Sequence, residues 1–175
     1  MKKSDIIKAF KKLNEELSKR NVKGEVGVFG GAAMVLGFNA RISTKDVDAI
    51  FVPASKVREA AKKVADDMDL PEDWMNDAVK LYVPVRPKEK KVIFSADHLT
   101  VWIPEPEYLV AMKGIAARFD SLDAADLKTL IEHLHLKTVE SVFDIIEHYY
   151  PKKNIPAKTQ YFIEELFWHC NKKKT

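Results

Sequence analysis

The chain has 175 residues, 46% of them hydrophobic and 31% charged, with a formal net charge of +3. That length suits one domain, or a small domain with a helical extension, and the composition is ordinary for a soluble globular protein. No apolar run reaches the roughly 20 residues of a membrane span, +3 is too little charge to mark a nucleic-acid partner, and one cysteine, Cys170, excludes an internal disulfide.

At the start, "MKKSDIIKAFKKLNEELSKR" sets Ile6, Ile7, Phe10, Leu13 and Leu17 at helical spacing. It has no continuous apolar core, so it reads as an amphipathic helix rather than a secretory signal. Together with the lone cysteine, this predicts a cytoplasmic protein. A strand is expected near Glu25–Phe29, a short helix at the Gly30-Gly31 pair, and a second strand at Asp46–Val52. Pro53 precedes a helix over "ASKVREAAKKVADDM". "LPEDWMNDAVKLYVP" reads as a helical turn ending at prolines. "KKVIF" and "LTVWI" flank "SADH" as a strand pair. From Glu105 onward, "PEPEYLVAMKGIAARF", "DAADLKTLIEHLHL", "TVESVFDIIEHYY" and "AKTQYFIEELFWHC" all carry helical periodicity, with Asp123 and Thr138 as start signals for two of them. The predicted class is α/β of the α+β kind. A small mixed-sheet core with its N-terminal helix occupies residues 1–104, and a helical part packed on it occupies residues 105–175.

Asp46 and Asp48 lie in a predicted half-buried strand. Side chains alternate along a strand, so both acids share one face, roughly 6.6 Å apart at ~3.3 Å per residue. Two carboxylates so placed repel and raise each other's pKa. A divalent cation relieves that, and oxygen ligands suit Mg²⁺ or Mn²⁺. Gly30-Gly31 stands where the first strand ends and a helix begins. Without Cβ atoms the backbone there comes close to a ligand, and the helix start offers N–H groups to phosphate. Glycine turn and paired acids together describe a nucleoside triphosphate site.

These residues resemble the nucleotidyltransferase superfamily of the polymerase-β type, and within it the bacterial AbiEii-like branch. The likeness rests on Gly30-Gly31, on "RISTKDVDAIF" against the family's Arg-x-Ser/Thr-x-Asp-hydrophobic-Asp, and on "EYLVAMKGIAARFDSLDAADLKTL" against a lysine-bearing helix followed by Asp-x-x-Asp-Leu. "PEDWMNDAVKLYVP" is similar to a stretch found in some of these relatives. The resemblance implies that Asp46 and Asp48 bind the catalytic metals. It also implies that Gly30, Gly31 and Thr44 meet the nucleotide, that Lys113 contacts it, and that Asp123 and Asp126 orient the lysine or join the site. The activity implied is transfer of a nucleoside monophosphate from an NTP to a hydroxyl, on an RNA or tRNA end or on a protein. A toxin-type role with an antitoxin partner is implied with it. Such transferases commonly take a third acid from a later strand. "LTVWIP" has none, which leaves Asp97, Glu105, Glu107 or Asp77. A descendant that binds nucleotide or RNA without turnover is the alternative, and a structural partner protein a third reading.

Other features carry less. Arg118 is placed to pair with Asp120 or Asp123. His133 and His135 point apart on a helix and suggest no zinc site. Cys170 reads as a packed apolar residue, and the aromatic run around it as core or interface. "KEKK" and "PKKN" could rim a site for RNA backbone contacts, or be solvated surface lysines.

Overall fold

An apolar residue every three or four positions buries Ile6, Ala9, Phe10, Leu13 and Leu17 completely along α1 (Lys3–Lys19), the amphipathic helix expected there. The computed structural model describes residues 1–83, 85–116, 121–151 and 153–172, without the side chains of 121 and 169–172. The chain forms two compact units, Met1–Leu81 with Lys88–Pro104, and Tyr82–Pro87 with Glu105–Thr175. The fold is α+β, as expected.

In the first unit, β1 (Gly24–Val28), β2 (Val47–Val52), β3 (Met75–Asn76), β4 (Lys90–Ala96) and β5 (Leu99–Pro104) make one mixed sheet in the order β3-β2-β1-β5-β4. β2 runs antiparallel to β1, and β5 runs parallel to it. β4 and β5 form the expected hairpin, with a register shift between Val92 and Phe94. After β1, α2 (Gly30–Ala33) runs into wider π-type turns at Met34–Phe38. α3 (Ala54–Met68) begins after Pro53 as predicted and packs against α1. A side chain at Gly24 would meet Leu17 and Val57, so Gly24, Val26 and Val28 look toward these helices. Ala49 pairs with Val28 and shares that face. Asp48, one residue earlier, therefore lies on the opposite face.

The segment "LPEDWMNDAVKLYVP" departs from expectation. It supplies strand β3, parallel to β2, and then a 3₁₀ turn at Ala78–Leu81. The cause is Trp74, which is fully buried and donates from Nε1 to the Ala61 carbonyl at 3.0 Å. Its own carbonyl accepts from the Val47 N–H at 2.7 Å, which starts the pairing with β2. A tethered segment of this kind follows tertiary contacts rather than local propensity.

The second unit contains α4 (Pro106–Ala116), α5 (Ser121–His133), α6 (Val139–Tyr149) and α7 (Ala157–Lys172). α4 packs on α5 and α6, and α6 on α7. Thr138 caps α6 as expected, accepting from the Ser141 N–H at 3.2 Å. Asp123 is not the start of α5 but sits inside its first turn. Two tyrosines hold the Tyr82–Pro87 segment of this unit. Tyr108 donates its hydroxyl to the Val85 carbonyl (2.6 Å), and Tyr150 to that of Tyr82 (2.7 Å). Burial raises the pKa of Tyr108, and pushes Tyr150 up to about 12. On α7, Ile163 is buried while Tyr161 and Trp168 are largely exposed. Arg118, Asp120 and the Cys170 side chain lie outside what is described. Among the described residues, no helix is long and apolar enough to cross a membrane.

Candidate active site

The site of the first unit is built where β1 gives way to α2. The Phe29 N–H donates to the Asp48 carbonyl at 2.8 Å, so β1 stays paired one residue beyond its end and delivers the turn beside Asp48. Gly30 then takes φ +57°, a left-handed conformation that L residues rarely adopt. A Cβ at Gly30 would stand 2.7 Å from Asp48 Oδ2. The carboxylate therefore rests against bare backbone. At Gly31 a Cβ would stand 2.7 Å from Thr44 Oγ1 and 3.1 Å from an Arg41 guanidinium nitrogen. The Thr44 hydroxyl donates to the Asp46 carbonyl at 3.2 Å.

Gly30, Gly31, Thr44, Asp46 and Asp48 thus meet at one end of the sheet, and Arg41 joins them. Asp46 precedes β2 by one residue and is half-buried, as is Asp48. The loop carrying Arg41 and Thr44 is fastened to the beginning of the chain. Lys3 Nζ donates to Asn39 Oδ1 at 3.2 Å, Lys2 bridges to Ser43, and the Thr44 N–H donates to the Met1 carbonyl at 2.9 Å.

β3 brings in Asn76, which sequence reasoning passed over. Asn76 is the register partner of Asp48, and its Nδ2 lies 3.4 Å from Asp46 Oδ2. Asn76 sits beside Asp48 in the ladder while its amide reaches Asp46, as expected if Asp46 and Asp48 share a face. Asp77, weighed as a third acid, is held instead by Arg58 at 2.6 Å and Lys80 at 2.5 Å. The Lys80 hydrogen bond is the main reason its pKa is lowered. Asp97 is excluded by topology. It sits in the β4–β5 turn, where the Gly24 N–H donates to the His98 carbonyl, at the far end of β1 from the glycine turn. Four residues of strand put roughly 13 Å between those ends. Glu105 and Glu107 belong to the second unit, where Glu105 accepts from the Tyr149 hydroxyl at 2.9 Å. Among the described residues, no three or more His, Cys, Asp and Glu side chains gather as a metal-binding group.

In the second unit Lys113 of α4 meets both acids of the Asp-x-x-Asp pair. Its Nζ lies 2.8 Å from Asp123 Oδ1 and 2.6 Å from Asp126 Oδ2. The lysine side chain is 9% exposed and Asp126 0%. One helical turn separates the two acids, so both reach the same ammonium, the pairing with the lysine that the family resemblance implied. Two of its three donors are engaged. Lys90, from the "KEKK" run, bonds Glu25 at 2.7 Å and covers the Trp102 ring at 4.5 Å from its centre.

The family described as "Nucleotidyltransferase of unknown function (DUF6036)" matches residues 4–169. The chain belongs to that family. No curated protein and no solved structure matches it significantly.

Proposed function

From membership of that nucleotidyltransferase family, we propose that the first unit binds a nucleoside triphosphate with Mg²⁺ or Mn²⁺ and transfers its nucleoside monophosphate to a hydroxyl acceptor. The observation that carries this reading is the Asp48 carboxylate set against the bare backbone of Gly30, with Asp46 on the same face. The donor set fits a hard divalent cation: two carboxylates and no sulfur or imidazole. Such a cation neutralises phosphate charge and polarises the phosphorus under attack.

Asp46 and Asp48 hold the cation. The backbone at Gly30 and Gly31, with the Arg41 guanidinium beside it, receives phosphate oxygens, and the Thr44 hydroxyl joins them by turning away from the Asp46 carbonyl. In the transfer, the acceptor oxygen bonds to the α-phosphorus, the bond from that phosphorus to the bridging oxygen breaks, and pyrophosphate leaves. The acceptor proton passes to solvent. The family resemblance adds Lys113, Asp123 and Asp126 as nucleotide-binding residues. It also supplies the acceptor class, an RNA or tRNA end or a protein hydroxyl. The likeness to the AbiEii-like branch extends the proposal to a cytoplasmic toxin with an antitoxin partner.

A thermal-shift titration with each of the four NTPs, with and without Mg²⁺, tests the site. A ligand at 100 times its Kd adds about 2.7 kcal/mol of stability. One NTP stabilises the wild-type chain only with Mg²⁺, and Asp46→Asn/Asp48→Asn abolishes the effect. Failure of all four at millimolar concentration refutes the reading. Asn76, an amide beside the two acids, favours a second reading: binding without turnover. Metal-dependent NTP binding with no pyrophosphate released from any RNA or protein acceptor would select it.

A further inference from the structure

Resting on that reading of the first unit, we propose that Asn76 is a positioning residue for Asp46, holding its carboxylate in the orientation that receives the cation. Three observations carry this. Register comes first: Asn76 lies beside Asp48 across the β2–β3 ladder, so its side chain projects from the face that bears both acids. Asp77, one residue on, is taken up by Arg58 and Lys80.

The amide is also oriented. Its Oδ1 accepts from the Ala78 N–H at 3.2 Å, and its Nδ2 faces Asp46 Oδ2 at 3.4 Å. Exchanging oxygen and nitrogen would set two donors against each other at Ala78 and two acceptors at Asp46. The arrangement is therefore self-consistent in one sense only. Finally, the contact is partly buried, where a donor to a carboxylate competes with less water. Donation to one oxygen fixes the plane of the carboxylate and leaves the other oxygen for a ligand. Partners that act on a metal-binding group in this way cost roughly 10–100-fold in metal affinity when removed.

The experiment is a Mn²⁺ titration of the full chain, followed by the electron paramagnetic resonance signal of free Mn²⁺. Wild type binds Mn²⁺ and Asp48→Asn loses it. Asn76→Ala binds about tenfold more weakly, with an unchanged metal-free melting curve, and Asn76→Gln, which keeps the amide on a longer stem, restores part of the affinity. In an Asp46→Ala background, adding Asn76→Ala changes Mn²⁺ affinity no further, because the amide acts through Asp46. The inference is overturned if Asn76→Ala binds as wild type does, or if its loss persists in the Asp46→Ala background. If wild type binds no Mn²⁺, or Asp48→Asn binds as well as wild type, the transferase site itself is refuted and the Asn76 role falls with it.

Discussion

Gly30→Ala is the sharpest perturbation of the site, because two separate penalties meet at one backbone position. The residue holds φ +57°, and an L side chain there costs about 1–2 kcal/mol. The new Cβ would also stand 2.7 Å from Asp48 Oδ2. Ordinary contact begins near 3.4 Å, so the carboxylate must retreat by about 0.7 Å (3.4 less 2.7). Asp48 is short and its strand is held on both sides, by β1 and β3, so the retreat comes from rotating the carboxylate away from the turn. The strain alone lowers Tm by about 2–8 °C at 2–4 °C per kcal/mol. The displacement acts on ligand binding instead, because it turns a proposed metal-binding carboxylate out of position, and disturbing the support of such a ligand costs roughly 10–100-fold in metal affinity. Gly31→Ala is the control: its φ is not left-handed, and its Cβ would press on the Thr44 hydroxyl rather than on a carboxylate. Differential scanning fluorimetry with and without Mg²⁺ and the stabilising NTP separates the two effects. Gly30→Ala shows the lower Tm and a ligand-induced shift reduced to near zero, and Gly31→Ala keeps part of the shift. A Gly30→Ala protein that melts as wild type does, with the full ligand shift, would refute the packing of Asp48 against the turn.

Two further predictions concern stability in each unit. Glu16 is buried between Lys19 (2.5 Å) and Arg20 (2.7 Å), and the Lys19 bond leads in lowering its pKa to about 2 from 4.5. A folded-state pKa below the unfolded one stabilises the protein above pH ~4.5, and the gain is lost as pH falls toward 2. Since Lys19 is largely exposed, the contribution is about 1–3 kcal/mol. Urea unfolding should show Glu16→Gln less stable by that amount at pH 7, with the gap narrowing as pH falls from 4.5 toward 2. Lys113→Met removes the cation between Asp123 and buried Asp126, which costs about 3–5 kcal/mol. The pair Lys113→Met/Asp126→Leu recovers most of it, and an unchanged Tm for the single variant would show that the lysine does not hold α4 to α5.

What the chain made legible follows periodicity. Alternation around Asp46-Val47-Asp48 placed both acids on one face, and the helical repeats of α1, α3 and α6 stood out because each buries a stripe. That Asp123 and Asp126 meet Lys113 came from the family resemblance; their three-residue spacing lets both reach it. β3 was not legible. Two residues carry no period, and what makes them a strand is Trp74 anchored to Ala61 and the Val47 N–H reaching the Trp74 carbonyl. That one omission hid Asn76, since only the ladder shows that Asn76 rather than Asp77 shares a face with the acids. Arg41 stood in a quoted motif, but its approach to Gly31 depends on how the loop is pinned to residues 1–3. The exclusion of Asp97 came from strand order, which no local pattern reveals.

The site sets groups of opposite preference side by side. The Gly30-Gly31 turn leaves room for a ligand to approach the backbone, and the Arg41 guanidinium beside it places a positive charge there. The Asp46 and Asp48 carboxylates beside the same turn disfavour an anion. A triphosphate carrying several negative charges cannot satisfy both unaided: within ~4 Å of a carboxylate, each unit charge is opposed by roughly 4 kcal/mol at an effective dielectric of 20. A cation between the carboxylates and the phosphates reverses that sign without moving a residue. The proposed metal dependence follows from that requirement, and it is expected whether or not turnover follows. The proposed role of Asn76 fits the same logic, since a neutral amide beside Asp46 adds no third negative charge for a triphosphate to overcome.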